Sequence, residues 1–388
     1  MTTATTTALQ PKGQAKLPLN KLHKQLAAVD AGVLINVHHD LGAKSSYASF
    51  IPAENPVYQY RLDEVRMMVV FQNSNHIALK LIGPKGTGKT TLAEQFYRLI
   101  GCPLLIQNCE ESMDRSTFFG TWVLTSDITQ QQKDSNAVVE NNKGMAAMLT
   151  KLTNAVGAQP KMKFVLGSVL TAAQNGWPVL LNEYNALNPN AALALNDLLE
   201  GKSVYVEQIG RTITPKKGFK VIATVNPESP GLYAGRHTQD TSNDDRFWAY
   251  FVDYPEFEVE QRIVSEYFDS CGMDSDEAKA NAKAMVEIAT KVRASYMGSS
   301  AASAALEQTI STRGLVSWAE LTVFFSNMVH RGISPLHYAL EIAITNHCKS
   351  PESKEAIHQI AAEVSGAEYI TLADADKKAK AAQAASTV

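Results

Sequence analysis

The chain has 388 residues, which is enough for two or three domains. Its 36 Lys and Arg residues nearly balance its 39 Asp and Glu residues. The formal net charge of −3 does not favour a protein whose whole surface binds nucleic acid, although a local basic channel is compatible with it. Hydrophobic residues make up 45% of the chain, which excludes a mainly disordered protein. No run approaches the roughly 20 apolar residues that span a bilayer, so we expect a globular, multi-domain protein without membrane segments.

The cysteines and the two ends of the chain carry no sign of export. The four cysteines form no CxxC pair, which is typical of reduced thiols in a cytoplasmic protein. Residues 1–16 are polar and Thr-rich and lack the apolar core of a secretion signal, and the last residues are rich in Ala and Lys. We therefore expect a cytoplasmic protein with flexible ends.

The first two thirds of the chain alternate between helical and strand patterns. Residues 17–40 are weakly helical, and the alternation begins near residue 56. The predicted elements are a helix at 62–72, a strand at 77–82, a helix to 100, a strand at 104–107, a strand at 177–181, a Leu-rich helix at 190–200 and a strand at 219–225. This order predicts a parallel sheet with helices on both faces. Residues 113–157 are polar and longer than an ordinary connection, which indicates an insertion.

The pattern after about residue 255 is helical throughout. The predicted helices lie at 258–268, 275–296, 315–330, 335–348 and 353–364. Asp274 or Ser275 is a suitable N-cap for the second of them. This part of the chain therefore predicts a separate, smaller, all-helical domain.

A phosphate-binding loop is the strongest signal in the sequence. A complete G-x-x-x-x-G-K-[ST] motif is formed by Gly83, Pro84, Lys85, Gly86, Thr87, Gly88, Lys89 and Thr90, and Thr91 follows it. The predicted strand before it and the predicted helix after it are the context that this motif requires. Its backbone N–H groups are expected to bind phosphate oxygens of ATP, with Lys89 at the β- and γ-phosphates and the Thr90 hydroxyl on Mg²⁺.

A second polar element follows the buried strand at 177–181. Glu183 is the candidate base that orients and deprotonates the attacking water. Asn182 stands where an Asp is expected beside Mg²⁺, so it keeps an oxygen acceptor but lacks the charge. If this position contacts the metal only through water, Asn serves with weaker binding. If hydrolysis depends on the charge, turnover is slow or the protein is a nucleotide-gated switch.

Three further residues are candidates for contact with the nucleotide. Asn226 follows the strand at 219–225 and is a candidate for a hydrogen bond to the γ-phosphate or the attacking water. Arg246 is a candidate arginine finger that acts on a neighbouring subunit, and the alternative is a surface salt bridge with Asp244 or Asp245. Arg236 is a weaker candidate for the finger. Arg313 opens a helix of the helical domain and would lie over the γ-phosphate if that domain covers the site.

Taken together, these motifs resemble those of an AAA+ ATPase. The segments GPKGTGKT, LLNEYNALNP, FKVIATVNP, DDRF and STRG are similar to the MoxR branch, including its CbbQ/NirQ-like and GvpN-like members. The run from 164 to 188 and the segment from 198 to 210 also resemble that branch. The resemblance covers residues 52–268, and beyond them only STRG supports it. The departures are Asn182 and the pair Tyr184-Asn185.

The resemblance implies a P-loop AAA+ domain with inserted hairpins and a helical lid. The implied boundaries are an N-terminal extension at 1–50, partly flexible, the AAA+ domain at 51–255, the lid at 256–370 and a flexible tail at 371–388. It implies ATP and Mg²⁺ between the subunits of a homo-oligomer, a hexameric ring. The implied cis residues are Lys89, Thr90, Glu183, Asn226 and Arg313, and Arg246 acts from the neighbour. A hairpin within 118–163 would face the pore.

Three functions remain open at the level of sequence. The resemblance favours an ATPase that remodels or activates a protein client, often with a partner that contains a von Willebrand factor A domain. A nucleic-acid translocase is disfavoured by the mild acidity, and a slow-hydrolysing assembly scaffold is kept open by Asn182. The run His38-His39-Asp40 is better interpreted as a solvated loop than as a metal site.

Overall fold

The computed structural model describes residues 14–30, 32–38, 47–125, 161–226, 244–297, 306, 308–326, 332–367, 369–370, 374–375 and 377. The strands in this part of the chain are β1 (Gln14–Pro18), β2 (Leu34–His38), β3 (Ala78–Ile82), β4 (Leu105–Asn108), β5 (Gly120–Thr125), β6 (Lys161–Leu166), β7 (Pro178–Asn182), β8 (Val204–Val206), β9 (Arg211–Ile213), β10 (Lys220–Val225) and β11 (Phe247–Phe251). The α-helices are α1 (Leu62–Asn73), α2 (Lys89–Leu99), α3 (Arg115–Phe119), α4 (Ser168–Asn175), α5 (Pro189–Leu193), α6 (Asn196–Leu199), α7 (Phe257–Ser270), α8 (Ser275–Met297), α9 (Thr312–Phe324), α10 (Pro335–Ala343) and α11 (Pro351–Ser365).

A five-stranded parallel sheet forms the centre of the α/β part. Its strand order is β11-β3-β10-β7-β4, and every neighbouring pair is parallel. The inner strands are mostly apolar and buried along nearly their whole length, because both faces are covered. Side chains alternate between the faces, so that Leu79 and Leu81 pack into one hydrophobic cluster while Ala78 packs into the other. The predicted parallel sheet covered on both faces is therefore present.

The prediction of a weakly helical segment at 17–40 is wrong. β1 and β2 form an antiparallel hairpin, with short 3₁₀ turns at Leu19–Lys21 and Lys24–Leu26 between the strands. In β2, Ile35 and Val37 are buried whereas Leu34 is exposed, so the apolar pattern has the period of a strand. The hairpin packs on the face of the sheet that also buries α1 and α2. Residues 1–13 lie outside the described part of the chain.

Two hairpins interrupt the alternation of strands and helices. β5 and β6 pair in an antiparallel hairpin between α3 and α4, and residues 126–160 between them lie outside the described residues. β8 and β9 form the second hairpin. The single Leu-rich helix predicted at 190–200 is wrong, because two short helices replace it. The helical hydrogen bonding changes to an i,i−3 bond at Leu195, where α5 gives way to α6.

Helices α7 to α11 surround a separate hydrophobic cluster that includes Trp318, Phe268 and Val286. Two helices end earlier than predicted. α9 stops at Phe324 and α10 stops at Ala343, where a 3₁₀ turn at Thr345–His347 begins. In the described part of the chain, no helix is both long and apolar enough to cross a membrane.

Candidate nucleotide-binding site

The carboxyl ends of three neighbouring strands bring the predicted site residues to one edge of the sheet. The phosphate loop follows β3, Asn182 ends β7, and Asn226 follows β10. In open parallel sheets, ligands bind in the crevice outside this edge. The order of the strands therefore collects into one place motifs that lie up to about 140 residues apart in the chain.

The phosphate loop has a backbone that only glycine tolerates at several positions. Gly86 and Gly88 have φ values of 79° and 90°, in the left-handed region. At Gly83 the limit is space, because a Cβ atom would lie 1.9 Å from the backbone oxygen of Val252. These constraints lead the chain from β3 directly into the N-terminus of α2, which Lys89 begins. The first turn of that helix presents N–H groups suited to an anion.

The Lys89 ammonium is buried at the centre of the site. Its Nζ donates hydrogen bonds to the backbone oxygens of Gly83 and Pro84, both at 2.7 Å, and to Asn226 Oδ1 at 2.9 Å. Lys89 and Asn226 are 7% and 6% exposed. A phosphate oxygen would offer this cation a charged acceptor, and such charge-assisted bonds are stronger than bonds to neutral carbonyls. The geometry therefore brings the two predicted phosphate ligands together.

Asn182 accepts two hydroxyl hydrogen bonds at the end of β7. Thr90 Oγ1 and Thr224 Oγ1 both donate to its Oδ1, at 2.7 and 2.8 Å, and its Nδ2 donates to Asn108 Oδ1 at 3.1 Å. Hydroxyl and amide oxygens are the hard donors that Mg²⁺ prefers, so the oxygens of Thr90 and Asn182 fit this ion. Neither of these two ligands carries a negative charge, which makes the set weaker than one with an aspartate.

Glu183 has a strained backbone at the turn after β7. Within the described ranges, Glu183 is the one non-glycine residue with a positive φ, at 57°. Such a conformation costs about 1–3 kcal/mol and is typical of functional sites. The backbone N–H of Glu183 donates to Thr224 Oγ1 at 3.0 Å, and its side chain is exposed. The turn therefore directs the candidate base away from the core and towards solvent.

The negative charge of Glu183 is felt by a neighbouring thiol. Burial, with a smaller contribution from the Glu183 charge, raises the pKa of Cys109 to about 12. Cys109 therefore stays a protonated, apolar packing group. It has no role as a nucleophile in this site.

Two polar residues of the site had escaped the sequence analysis or been treated as incidental. Thr224 binds both Asn182 and the backbone of Glu183, and its only signal is a hydroxyl in an otherwise apolar strand. Asn185 is buried, and its Nδ2 donates to the backbone oxygen of Asn226 at 3.1 Å. Asn185 therefore links the Glu183 turn to Asn226.

The helical region covers the phosphate loop. Ser311 caps α9, since its Oγ accepts from the Gly314 N–H at 3.1 Å, and a Cβ atom at Gly86 would lie only 2.3 Å from Ser311 Cβ. Between the two parts lies a cavity of about 290 Å³, lined by residues that include Thr91 and Arg313. Arg313 thus faces the loop from the helical side.

A buried ion pair holds this helical region in place near the loop. The guanidinium of Arg293 binds both oxygens of Glu260 at 2.7 and 2.9 Å, and the Thr312 hydroxyl donates to Glu260 as well. Arg293 also stacks on the ring of Tyr254, whose hydroxyl donates to the backbone oxygen of Lys85 at 3.2 Å. These partners lie 33 to 169 residues apart, and no sequence motif announces them.

Arg246 lies at the opposite edge of the sheet. The residue after it, Phe247, pairs with Ala78 at the start of β3, whereas the phosphate loop follows the end of that strand. At about 3.3 Å per residue, the strand places the two edges roughly 16 Å apart. The Arg246 Nε donates to Glu200 Oε1 at 2.8 Å, an ion pair that the sequence does not predict.

Several aromatic and charged residues lie elsewhere. Phe118, Phe119 and Trp177 are core residues, whereas Trp122 on β5 is 46% exposed. His38 belongs to β2, and its two neighbours in the sequence lie outside the described residues. Arg236 also lies outside them.

Comparison with known proteins identifies the family. A model described as an AAA domain of the dynein-related subfamily matches residues 78–247, and one described as the CbbQ/NirQ/NorQ C-terminal region matches residues 271–364. A protein named CbbQ from Hydrogenophilus thermoluteolus is 24% identical over 296 residues, which are 76% of this chain and 89% of that protein. The chain belongs to the MoxR branch of the AAA+ ATPases. The predicted fold class, an AAA+ domain with a helical lid, is confirmed, and so is its class as an ATP hydrolase.

Two further proteins are similar to this chain. An uncharacterized protein of Staphylococcus aureus strain USA300 is 26% identical over 198 residues, which are 51% of this AAA+ chain and 62% of that protein. A crystal structure of an ATPase candidate from Cytophaga hutchinsonii matches 80% of this chain and 93% of its own, with 15% identity and a TM-score of 0.38.

Proposed function

We propose that this AAA+ chain forms a homo-oligomeric ring, a hexamer, which hydrolyses ATP between adjacent subunits and uses the turnover to remodel a protein client. The observation that carries the proposal is the position of Arg246 at the edge of the sheet opposite its own phosphate loop. An arginine finger at that place can neutralise charge only on the nucleotide of a second subunit. Two copies are therefore needed to complete one site.

Within this proposal, each residue of the site has a distinct task. Lys89 and Asn226 bind the terminal phosphate, and Arg313 approaches it from the lid. Glu183 accepts the proton of the attacking water. Thr90 and Asn182 hold Mg²⁺, which supplies positive charge against the phosphate oxygens when it is bound. Gly83 to Gly88, with Thr91, surround the phosphates through the loop and the start of α2.

The exposed surface of the β5–β6 hairpin supports the proposal that the client is a protein. Its exposed side chains include Trp122, Leu124 and Met162, which are 46%, 66% and 60% exposed. Exposed apolar side chains that lie together are typical of surfaces that bind other proteins. The near-neutral charge of the chain also favours a protein over nucleic acid. The family resemblance alone is the reason that the proposal includes a partner with a von Willebrand factor A domain.

The test is complementation between two inactive variants. We expect Arg246→Ala to bind ATP but not to hydrolyse it, and Glu183→Gln to bind without turnover. In mixed rings, a Glu183→Gln subunit provides its Arg246 to the nucleotide site of an adjacent Arg246→Ala subunit, which still carries Glu183. Turnover should therefore return. If Arg246→Ala alone hydrolyses ATP at the wild-type rate, the proposal that Arg246 acts on the neighbouring subunit is wrong. Lys89→Ala should abolish ATP binding and nucleotide-dependent assembly, and unchanged affinity would contradict the assignment of the loop.

A slow assembly scaffold is a second candidate function, favoured by the uncharged Asn182. In that case ATP binding closes the ring and turnover has no role. The ATPase rate of the wild type against Glu183→Gln separates the two. A wild type no faster than the variant supports the scaffold, and a wild type at least tenfold faster supports the remodelling ATPase.

A further inference from the structure

A lysine lies in the middle of the central sheet. Lys80 belongs to β3, and its side chain is only 8% exposed. Its neighbours in the register are Ala223 on β10 and Ala249 on β11, whose small side chains leave space beside the lysine stem. A buried ammonium is costly unless it is paired, so its partners indicate why it is there.

Three residues surround the Lys80 ammonium. Its Nζ forms an ion pair and hydrogen bond with Asp244 Oδ1. The ring centroid of Phe247 lies 4.9 Å from Nζ, and that of Tyr184 lies 5.9 Å away. The same two rings contact each other, with centroids 5.4 Å apart. The cation therefore has one charged partner and two aromatic faces around it.

These partners adjoin the two residues on which hydrolysis depends in the proposed function. Asp244 and Phe247 flank Arg246, two residues before it and one after it, whereas Tyr184 follows Glu183 directly. Lys80 holds the chain on both sides of Arg246. On the other side of the ammonium, only a ring centroid 5.9 Å away connects it to the Glu183 turn. The stronger of its two connections thus leads to Arg246.

The segment that contains Arg246 needs such an anchor. β11 is an edge strand, so Phe247 is hydrogen-bonded to a neighbouring strand on one side only. Asp244 is half exposed, and its ion pair ties the turn before β11 to the rigid centre of the sheet. Arg246 itself forms an ion pair with Glu200, whose carboxylate is partly exposed. Exposed pairs of that kind fix a side chain weakly.

We propose that the ion pair of Lys80 and Asp244 positions Arg246 for its action on the nucleotide of the neighbouring subunit. This inference rests on the proposed function, because it requires that Arg246 is the finger. Lys80 and Asp244 are positioning residues, since they act on the nucleotide through Arg246. Loss of the pair removes the finger from its place without altering the phosphate loop, so the defect lies in turnover and is corrected by a neighbour.

The experiment measures ATP affinity and ATP turnover in Asp244→Asn, Asp244→Glu and Lys80→Met. The matched control is Asp63→Asn, which breaks the exposed pair of Asp63 and Arg66 on α1. We expect Asp244→Asn and Lys80→Met to bind a fluorescent ATP analogue within twofold of the wild type and to lose at least tenfold in kcat. The double variant should be no slower than Lys80→Met. Asp244→Glu, which keeps the charge, should retain more turnover than Asp244→Asn, and the control should be unchanged.

Mixed rings with Glu183→Gln subunits provide the readout that a purely structural role would not move. The Glu183→Gln subunits carry an intact Lys80, Asp244 and Arg246, so turnover should return when they adjoin Lys80→Met or Asp244→Asn subunits. Absence of rescue would mean that Lys80 acts through Tyr184 on Glu183 of its own subunit, which overturns the inference. If Lys80→Met does not fold, Asp244→Asn decides, because its side chain is half exposed.

The failures of the two proposals are distinguishable. If Arg246→Ala is inactive while Asp244→Asn and Lys80→Met turn over within twofold of the wild type, the finger stands and the positioning pair is wrong. If Arg246→Ala keeps its turnover, the action between subunits fails, and this inference fails with it.

Discussion

The ion pair of Glu260 and Arg293 allows a quantitative prediction about the helical lid. The two guanidinium NH₂ groups donate to the two carboxylate oxygens at 2.7 and 2.9 Å, and the Glu260 and Arg293 side chains are 1% and 11% exposed. Arg293 Nε also donates to the backbone oxygen of Ile310 at 2.7 Å. We predict that Arg293→Met lowers the free energy of unfolding of the lid by about 3–5 kcal/mol, the usual cost of leaving one buried charge unpaired.

The magnitude depends on what remains around Glu260. After the substitution, the Glu260 carboxylate stays in the interior without its cationic partner, and the Thr312 hydroxyl still donates to it. Replacing both partners removes the unpaired charge, and exchanging a buried pair for apolar residues is often nearly neutral. The double variant Arg293→Met/Glu260→Leu should therefore lose less than Arg293→Met alone. A matched control lies on the same helix, where Lys291 pairs with Glu287 at 3.4 Å on the surface, and Lys291→Met should cost less than about 0.5 kcal/mol.

The assay is urea unfolding followed by tryptophan fluorescence. Trp318 is fully buried in the hydrophobic cluster of the lid and reports on its unfolding. Arg293 does not line the nucleotide cavity, yet its contact with Tyr254 connects it to the phosphate loop, so ATP affinity should fall as well. A loss below about 1 kcal/mol in Arg293→Met, or a double variant that loses more than the sum of the single variants, would refute the reasoning.

Three further predictions concern the metal, the lid contact and pH. Asn182→Asp keeps both threonine donors and adds a negative charge. The Mg²⁺ concentration that half-saturates turnover should therefore fall at least tenfold, which corresponds to about 1.4 kcal/mol of binding free energy. An unchanged Mg²⁺ titration would contradict this prediction. Gly86→Ala should weaken ATP binding because its Cβ meets Ser311, and Ser311→Gly in the same chain should restore part of the affinity measured by calorimetry. Burial, and after it the charge of His337, lowers the pKa of His358 from about 6.5 in the unfolded chain to about 4. The folded state therefore favours the neutral imidazole, and its full stability is present above pH 6.5. As the pH falls to 4, up to about 3 kcal/mol of the free energy of unfolding is lost. His358→Gln should flatten that pH dependence in urea unfolding, and an unchanged slope would contradict it.

Local patterns account for the parts of the fold that the sequence predicts well. The phosphate loop depends on its own eight residues and on the strand and helix that adjoin it, all within one short segment. β7 and β10 are apolar runs followed by polar residues, and parallel pairing then brings Asn182 and Asn226 to the same edge. In each case the physical cause acts over a few residues or through the general rules of parallel sheets.

The rest depends on contacts between distant residues. Lys80 and Asp244 are 164 residues apart, and nothing in the text of either segment predicts the pair. Thr224 looks like one hydroxyl in an apolar strand until β7 is placed beside it. The β1–β2 hairpin is not predicted because the alternation of exposed Leu34 with buried Ile35 and Val37 is short, and a weak helical pattern easily outweighs it.

Asn182 shows how a departure in sequence can preserve the geometry of a site. Its Oδ1 accepts from Thr90 and Thr224, which is what a carboxylate oxygen at this position would also do. The backbone of Glu183 is fixed by the same Thr224 hydroxyl, so the turn of the candidate base does not depend on a charge at residue 182. An asparagine at this position therefore changes the electrostatics of the proposed metal ligand and leaves these hydrogen bonds intact. The proposed remodelling ATPase and the proposed assembly scaffold therefore require the same framework, and the rate of turnover distinguishes them.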